Sequence, residues 1–113
     1  MKKSVMETLC KCKKNGIVYR VAYNGNLFAL VDGGRQTDLF AYKNKNGMWN
    51  IVDVRTGLSL CAASTRKKAI ADAESLMDKY WSLATTPQYD DMIQQFIDCE
   101  NHVTAEQFYE LSA

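Results

Sequence analysis

The sequence predicts an α+β protein in which an antiparallel sheet of about five strands, joined as a meander, packs against one long helix. Short segments that alternate apolar and polar residues, separated by turn sequences, predict the strands. Apolar residues at helical spacing after residue 64 predict the long helix. The chain has 113 residues, of which 47% are hydrophobic, which is enough for one ordinary core and predicts a single domain over residues 1–113.

The first segment carries a helix signal. Ser4 and Glu7 have the spacing of a capping box, and apolar residues follow at helical intervals. Asn15-Gly16 is a typical helix stop, and lysines precede it, where positive charge suits the helix dipole. We therefore expect a short helix over residues 4–14.

Five strands are expected next, over residues 17–23, 27–31, 38–43, 48–54 and 58–63. Asn24-Gly25-Asn26, residues 32–35, Asn46-Gly47 and residues 55–57 provide the connections, and Asn-Gly favours a two-residue hairpin turn. In the fourth strand, Trp49 and Ile51 share one face, while Val52 and Val54 occupy the other.

Helices are expected to complete the fold. Ser64 or Thr65 is a suitable N-cap, and the apolar spacing continues without interruption to Ala84, which predicts one long helix. Pro87 begins a second helix, and Thr104 begins a short last one.

The charge is unevenly distributed. Residues 1–68 contain 13 Lys/Arg and 4 Asp/Glu, a balance of +9, whereas residues 69–113 contain 1 Lys and 9 Asp/Glu, a balance of −8. A basic half predicts an anionic partner, most often nucleic acid. Alternatively, the two halves attract each other, within one molecule or between two copies.

No apolar run of about 18 residues is present, so no membrane span is predicted. The start of the chain does not resemble a signal peptide, and we expect a cytoplasmic protein with reduced cysteines.

Catalytic and cofactor motifs are weak. The loop at residues 32–35 lacks the phosphate-loop pattern. Cys10, Cys12, Cys99 and His102 offer a Cys3His zinc set, but the Cys-x-Cys spacing is tighter than usual. Cys99 and His102 could form a nucleophile–base pair, although no orienting residue is evident, and the acidic pairs at residues 90–91 and 98/100 indicate a solvated helix face. We therefore predict no enzyme, no cofactor and no metal.

The basic surface is the strongest functional signal. We expect Lys43 and Lys45 at one end of the sheet, and Arg55 with residues 66–68 at the other, interleaved with aromatic residues. The predicted residues for binding nucleic acid or a partner are Lys43, Lys45, Trp49, Arg55, Arg66, Lys67 and Lys68.

The central segment resembles a known family. Trp49-x-x-x-Asp53-x-x-Thr56-Gly57, a strand, and then Thr65-Arg66-Lys67-Lys68-x-Ile70 are similar to the arm-type DNA-binding domain of phage and transposon integrases. The resemblance implies a three-stranded sheet, backed by one helix, that lies in the DNA major groove. Similar segments also occur in small phage and mobile-element proteins.

These observations predict a non-catalytic binding protein of phage or mobile-element type that contacts nucleic acid or a nucleoprotein. The alternatives are an inhibitor of a host defence protein, similar to anti-CRISPR proteins, a homodimer with paired basic and acidic halves, or a binder of a small anionic ligand between copies.

Overall fold

The computed structural model describes all 113 residues and shows an α+β fold with eight strands and four helices. The strands are β1 (Lys2–Lys11), β2 (Val18–Phe28), β3 (Val31–Asp32), β4 (Arg35–Gln36), β5 (Leu39–Lys43), β6 (Trp49–Asp53), β7 (Ser59–Ala63) and β8 (His102–Thr104). The helices are α1 (Arg66–Ser75), α2 (Met77–Ala84), α3 (Pro87–Asp98) and α4 (Ala105–Ser112). The predicted α+β class is confirmed.

The main sheet has six strands, mostly antiparallel. Its order is β1-β2-β5-β6-β7, and β8 lies parallel to β2. Because β1 pairs along one whole edge of β2, both β5 and β8 must share the other edge. The prediction of an antiparallel meander therefore missed one parallel pair, and the β3–β4 hairpin stands apart from this sheet.

The sheet curves until its first strand meets the turn between β6 and β7. The amide of Leu9 and the hydroxyl of Thr8, both in β1, donate to the carbonyl of Gly57 at 2.7 Å each. Phe96 of α3 packs over this junction, where any Cβ at Gly57 would come within 2.4 Å of its ring. The two ends of the curved sheet are thus held together.

Two cores lie on opposite faces of the sheet. Phe40, Tyr42 and Val52 belong to the first core, which α4 covers with Phe108 and Tyr109. The alternate residues of β5 and β6, which are Leu39, Ala41 and Ile51, belong to the second core, together with Ala63 of β7 and with Ala69 and Ala73 of α1. The predicted division of β6 into a Trp49/Ile51 face and a Val52/Val54 face is confirmed.

The predicted helix over residues 4–14 is wrong, because this segment is the long strand β1. Met6, Cys10 and Cys12 face the first core with a period of two, whereas Val5 points outward and is 61% exposed. Ten consecutive pairs with β2 outweigh a local capping-box pattern, which is only a weak preference.

The predicted turn at Asn24-Gly25-Asn26 is also wrong, because β2 runs through it without a break. A Cβ at Gly25 would lie 2.2 Å from the Ala41 carbonyl oxygen, so glycine is needed here for the close approach of β5 rather than for a turn. The strand expected over residues 27–31 is the end of β2, and Val31 belongs to the small hairpin.

The β5–β6 connection is longer than the predicted two-residue turn. Lys43 pairs with Trp49, which leaves residues 44–48 in the loop. The Asn44 side chain accepts from the amides of Asn46 and Met48 at 2.9 and 3.1 Å, and Gly47 adopts φ 79°. An Asx-type loop therefore replaces the expected hairpin turn.

The expected single long helix is broken at Leu76, where φ is −96° and ψ is 2°. The Ser75 hydroxyl donates to the Asp72 carbonyl at 2.6 Å, a local bond that competes with helix propagation. The predicted starts at Thr65, Pro87 and Thr104 are confirmed, with a complete capping box at Thr104. None of the four helices combines the length and apolar character that a membrane span requires.

Candidate nucleic-acid interface

One end of the sheet forms a groove of about 610 Å³, which we call the basic groove. Two lysines line it, and no carboxylate does. Its lining residues are Lys3, Ser4, Val5, Asn24, Gly25, Asn26, Lys43 and Trp49. The groove is therefore a concave surface of positive charge with amide groups and one aromatic ring.

Strand register brings these side chains together. Lys43 is the cross-strand partner of Trp49, and Lys3 is the partner of Asn26. Trp49 also pairs with Ala63 at the end of β7, so α1 begins beside it. The Arg66 guanidinium carbon lies 5.6 Å from the Trp49 ring centroid, and Arg66 Nη1 donates to Asn26 Oδ1 at 3.2 Å. Arg66 thus borders the groove.

Lys3, Lys43 and Arg66 are exposed, and none of them forms an ion pair. Of the nine acidic residues after residue 68, only Asp72 forms an ion pair: its Oδ1 lies 3.2 Å from Lys68 Nζ. The remaining acidic residues of the second half leave the groove cations unneutralised, which is the condition for an anion-binding surface.

The other predicted binding residues are dispersed. Lys45 Nζ lies 5.5 Å from the Tyr109 ring, and the Arg55 guanidinium lies 5.5 Å from the Tyr89 ring. Lys67 and Lys68 occupy the first turn of α1. Of the seven residues predicted from sequence, the structure places Lys43, Trp49 and Arg66 in direct association.

The expected grouping of Arg55 with Arg66 is wrong. Strand β7 is antiparallel to β6 and returns the chain to the end where β6 began, so Arg66 lies beside Trp49 while Arg55 remains at the far turn. The sequence prediction did not include Lys3, which precedes the helix expected over residues 4–14, or Asn24 and Asn26, which lie in the expected turn. The alternation of Met6, Cys10 and Cys12 was the signal that could have identified β1 and, with it, Lys3.

The face of β5 and β6 opposite α1 is not free. Phe40, Tyr42 and Val52 on that face are 1%, 5% and 1% exposed. A three-stranded sheet laid directly into a major groove, as the integrase resemblance implies, would need this face to be open. The basic groove at the strand ends is the accessible cationic surface.

The two sequence candidates for a nucleophile–base pair, Cys99 and His102, bond to different groups. His102 Nδ1 lies 2.7 Å from Glu7 Oε2, while the Cys99 thiol donates to the Val18 carbonyl at 3.6 Å. No group of three or more His, Cys, Asp or Glu side chains is placed to hold a metal ion. The acidic pairs at residues 90–91 and 98/100 are exposed, and residues 33–34 form the tip of the small β3–β4 hairpin.

A second cavity, the Asp53 pocket, lies between the β6–β7 turn and helices α2 and α3 and has a volume of about 290 Å³. Asp53 is 2% exposed and accepts hydrogen bonds from the hydroxyls of Thr56, Tyr80 and Tyr89. Burial, then the bond to Asp53, raises the pKa of Tyr89; burial is also the main reason why the pKa of Tyr80 is raised. Both phenols are therefore neutral donors.

Comparison with known proteins supplies no family assignment: no protein-family model, curated protein or solved structure matches this chain.

Proposed function

We propose that this is a non-catalytic binding protein whose basic groove holds the phosphate backbone of a nucleic acid, alone or within a nucleoprotein. The observation that carries the proposal is the convergence of Lys3, Lys43 and Arg66 on a concave surface without a carboxylate. Lysine and arginine side chains of this kind supply most of the sequence-independent affinity for nucleic acids.

Single-stranded nucleic acid is the form that the groove favours. Trp49 is half-buried in the lining of the groove, with Arg66 over its ring, and an aromatic ring among cations can stack on an unpaired base. The amides of Asn24 and Asn26 add hydrogen-bonding groups. A duplex would instead need a protruding element to enter its groove, whereas this site is concave.

The phage or mobile-element origin remains part of this proposal. The segment β5–β6–β7–α1 has three antiparallel strands followed by one helix, as the integrase resemblance implies. Because its sheet face is buried, we place the contacts at the strand ends. We expect the protein to act in the cytoplasm, where it would meet intracellular nucleic acid.

The experiment is a titration of a fluorescent oligothymidine of about twelve nucleotides, followed by anisotropy between about 25 and 300 mM salt. Three groove cations predict that log K falls against log salt with a slope of about −2, at about 0.7 per phosphate on a single strand. A duplex of the same length should bind more weakly. A slope near zero, or tighter binding of the duplex, would contradict the proposal.

Pairing with protein is the second candidate, since eight of the nine carboxylates after residue 68 have no cation within 4 Å. A basic and an acidic surface on one chain can bind a second copy or a host protein. Light scattering at low and high salt separates the two candidates. A dimer that dissociates at high salt and does not bind the oligonucleotide would favour protein pairing.

A further inference from the structure

The Asp53 pocket has an apolar wall and a polar floor. Leu58, Leu60, Leu76, Leu83 and Met92 line it, and the carboxylate of Asp53 lies at its base with the phenols of Tyr80 and Tyr89. An apolar cavity with a few converging polar groups is the usual form of a small-molecule site. This feature is independent of the basic groove, which contains none of these residues.

The hydroxyl hydrogens at the floor of the pocket already have acceptors. Asp53 Oδ2 accepts from the Thr56 hydroxyl at 2.9 Å and from the Tyr89 hydroxyl. Asp53 Oδ1 accepts from the Arg55 amide at 3.4 Å and from the Tyr80 hydroxyl at 3.3 Å. The two phenol oxygens lie 3.3 Å apart, and no third phenol hydrogen exists to point into the pocket. The floor can therefore accept hydrogen bonds but has none left to donate.

The carboxylate of the floor also has no ion-pair partner. Asp53 forms no ion pair within 4 Å, although buried carboxylates are normally paired with a cation. Arg55 lies against the Tyr89 ring instead, and Lys79 is an exposed residue of the pocket lining. A ligand that brought an ammonium group to the phenol oxygens would supply both the missing donor and the missing charge.

We propose that the Asp53 pocket binds a small primary amine with an apolar body, its ammonium group donating to the oxygens of Tyr80 and Tyr89. The volume of about 290 Å³ sets the size, since a cavity of about 150 Å³ holds one benzene molecule. A body of one ring and a short chain fits this space. A carboxylate or phosphate is excluded from the floor, because the floor offers it no donor and a like charge, and Lys79 is an exposed residue of the lining that is not part of the floor.

The test uses three probes with the same phenyl body: 2-phenylethylamine, propylbenzene and 3-phenylpropanoate. Each is titrated into the full chain with labelled leucine and methionine methyl groups, which report on the pocket wall by NMR. The amine should shift the methyl signals of Leu60, Leu83 and Met92 saturably. The hydrocarbon should bind about tenfold more weakly, which is the ratio expected for loss of one charge-assisted hydrogen bond, and the carboxylate should not bind.

Two variants locate the binding. Tyr80→Phe removes one acceptor and should weaken the amine about threefold to tenfold without changing the binding of propylbenzene. Leu83→Trp fills the mouth and should abolish binding of the amine. Leu111→Trp is the matched control, because Leu111 is 38% exposed, against 37% for Leu83, and does not line the pocket.

Three results would overturn the proposal. One is that 3-phenylpropanoate or propylbenzene binds the unaltered chain as tightly as the amine. Another is that the pocket methyl signals do not move up to the solubility limit of the amine. The third is that Leu83→Trp and Leu111→Trp bind the amine equally well. The probe series on the unaltered chain decides the question even if a variant fails to fold.

Discussion

Arg66 lies over the ring of Trp49, with 5.6 Å between the guanidinium carbon and the ring centroid, and donates to Asn26 across the groove. A cation at this distance from an indole is attracted to its face. The arrangement joins the first turn of α1 to β6 and β2, three elements that are separate in the sequence. It also fixes an aromatic ring and a charge next to each other at the edge of the basic groove.

Trp49 should report directly on nucleic-acid binding. In a Trp81→Phe background, Trp49 is the only tryptophan, and we expect oligothymidine to quench its emission because a base stacks on its ring. The measurement is a fluorescence titration in parallel with anisotropy. Binding seen by anisotropy without any change in Trp49 emission would show that the strand passes elsewhere.

Reversing two groove charges should lower both affinity and salt dependence. Lys43→Glu with Arg66→Glu removes two phosphate contacts, so the slope of log K against log salt should become shallower by about 1.4. Lys11→Glu with Lys13→Glu makes the same change in net charge roughly 26 Å from Lys3 along β1. Equal losses in the two double variants would mean that net charge alone governs binding.

Asp53 should be a major determinant of stability. Asp53→Ala removes the carboxylate that accepts from the buried hydroxyls of Thr56 and Tyr89, and we expect a loss of about 3 kcal/mol in the free energy of unfolding, measured with urea. Asp91→Ala, at an exposed position of α3, is the matched control and should be close to neutral. Similar effects of the two substitutions would disprove a structural role for the network.

Gly25→Ala tests the continuous path of β2. The added methyl would lie 2.2 Å from the Ala41 carbonyl oxygen, so β2 and β5 must separate, and we expect a cost of about 3 kcal/mol in the free energy of unfolding. Gly16→Ala is the comparison: its φ is 73° and nothing lies within 4 Å, so only the backbone strain of about 1 kcal/mol applies. Equal losses in the free energy of unfolding for the two variants, measured by urea denaturation, would contradict the close approach of β2 and β5.

Alkaline pH should destabilise the fold. Burial raises the pKa of four tyrosines above the ordinary 10.0 of a free phenol, so above about pH 10 the unfolded chain loses protons that the folded chain keeps. The contribution of these tyrosines to the free energy of unfolding should therefore be constant below this pH and fall above it. The tyrosines concerned are Tyr23, Tyr42, Tyr80 and Tyr89.

The check combines urea denaturation at several pH values with tyrosinate absorbance. The absorbance should rise mainly as the protein unfolds, and Tyr89→Phe should reduce the dependence on pH. Full titration of all tyrosines in the folded state near pH 10 would contradict this account.

The centre of the fold was predictable because its signals are local. Alternation along β5, β6 and β7, the turn at Gly57 and the cap at Thr65 each act within a few residues, and tertiary packing agrees with them. The first strand was missed because Ser4 and Glu7 imitate a capping box. Only the long pairing with β2 decides between helix and strand there.

Other features of the fold depend on residues that are distant in the sequence, and the local sequence contains no signal for them. Strand β8 has three residues. It forms because β5 pairs only with the end of β2 and leaves the same edge unpaired near Arg20. Gly25 predicts a turn when only its sequence neighbours are considered. In the structure it allows the close approach of β5 to β2. The groove therefore could be predicted only in part. Lys43, Trp49 and Arg66 come from the predictable centre, whereas Lys3 lies in the part of β1 before the expected helix and Asn26 lies in the expected turn.

The closure of the curved sheet has a consequence for the rate of folding. Thr8 bonds to a carbonyl 49 residues away, and Cys99 to one 81 residues away. Chains whose contacts join remote positions must close long loops before those contacts contribute, and they fold in milliseconds to seconds rather than microseconds. We expect refolding from urea to be slow for a chain of this size, with the hairpin at β5–β6 forming ahead of the junction between Gly57 and Leu9.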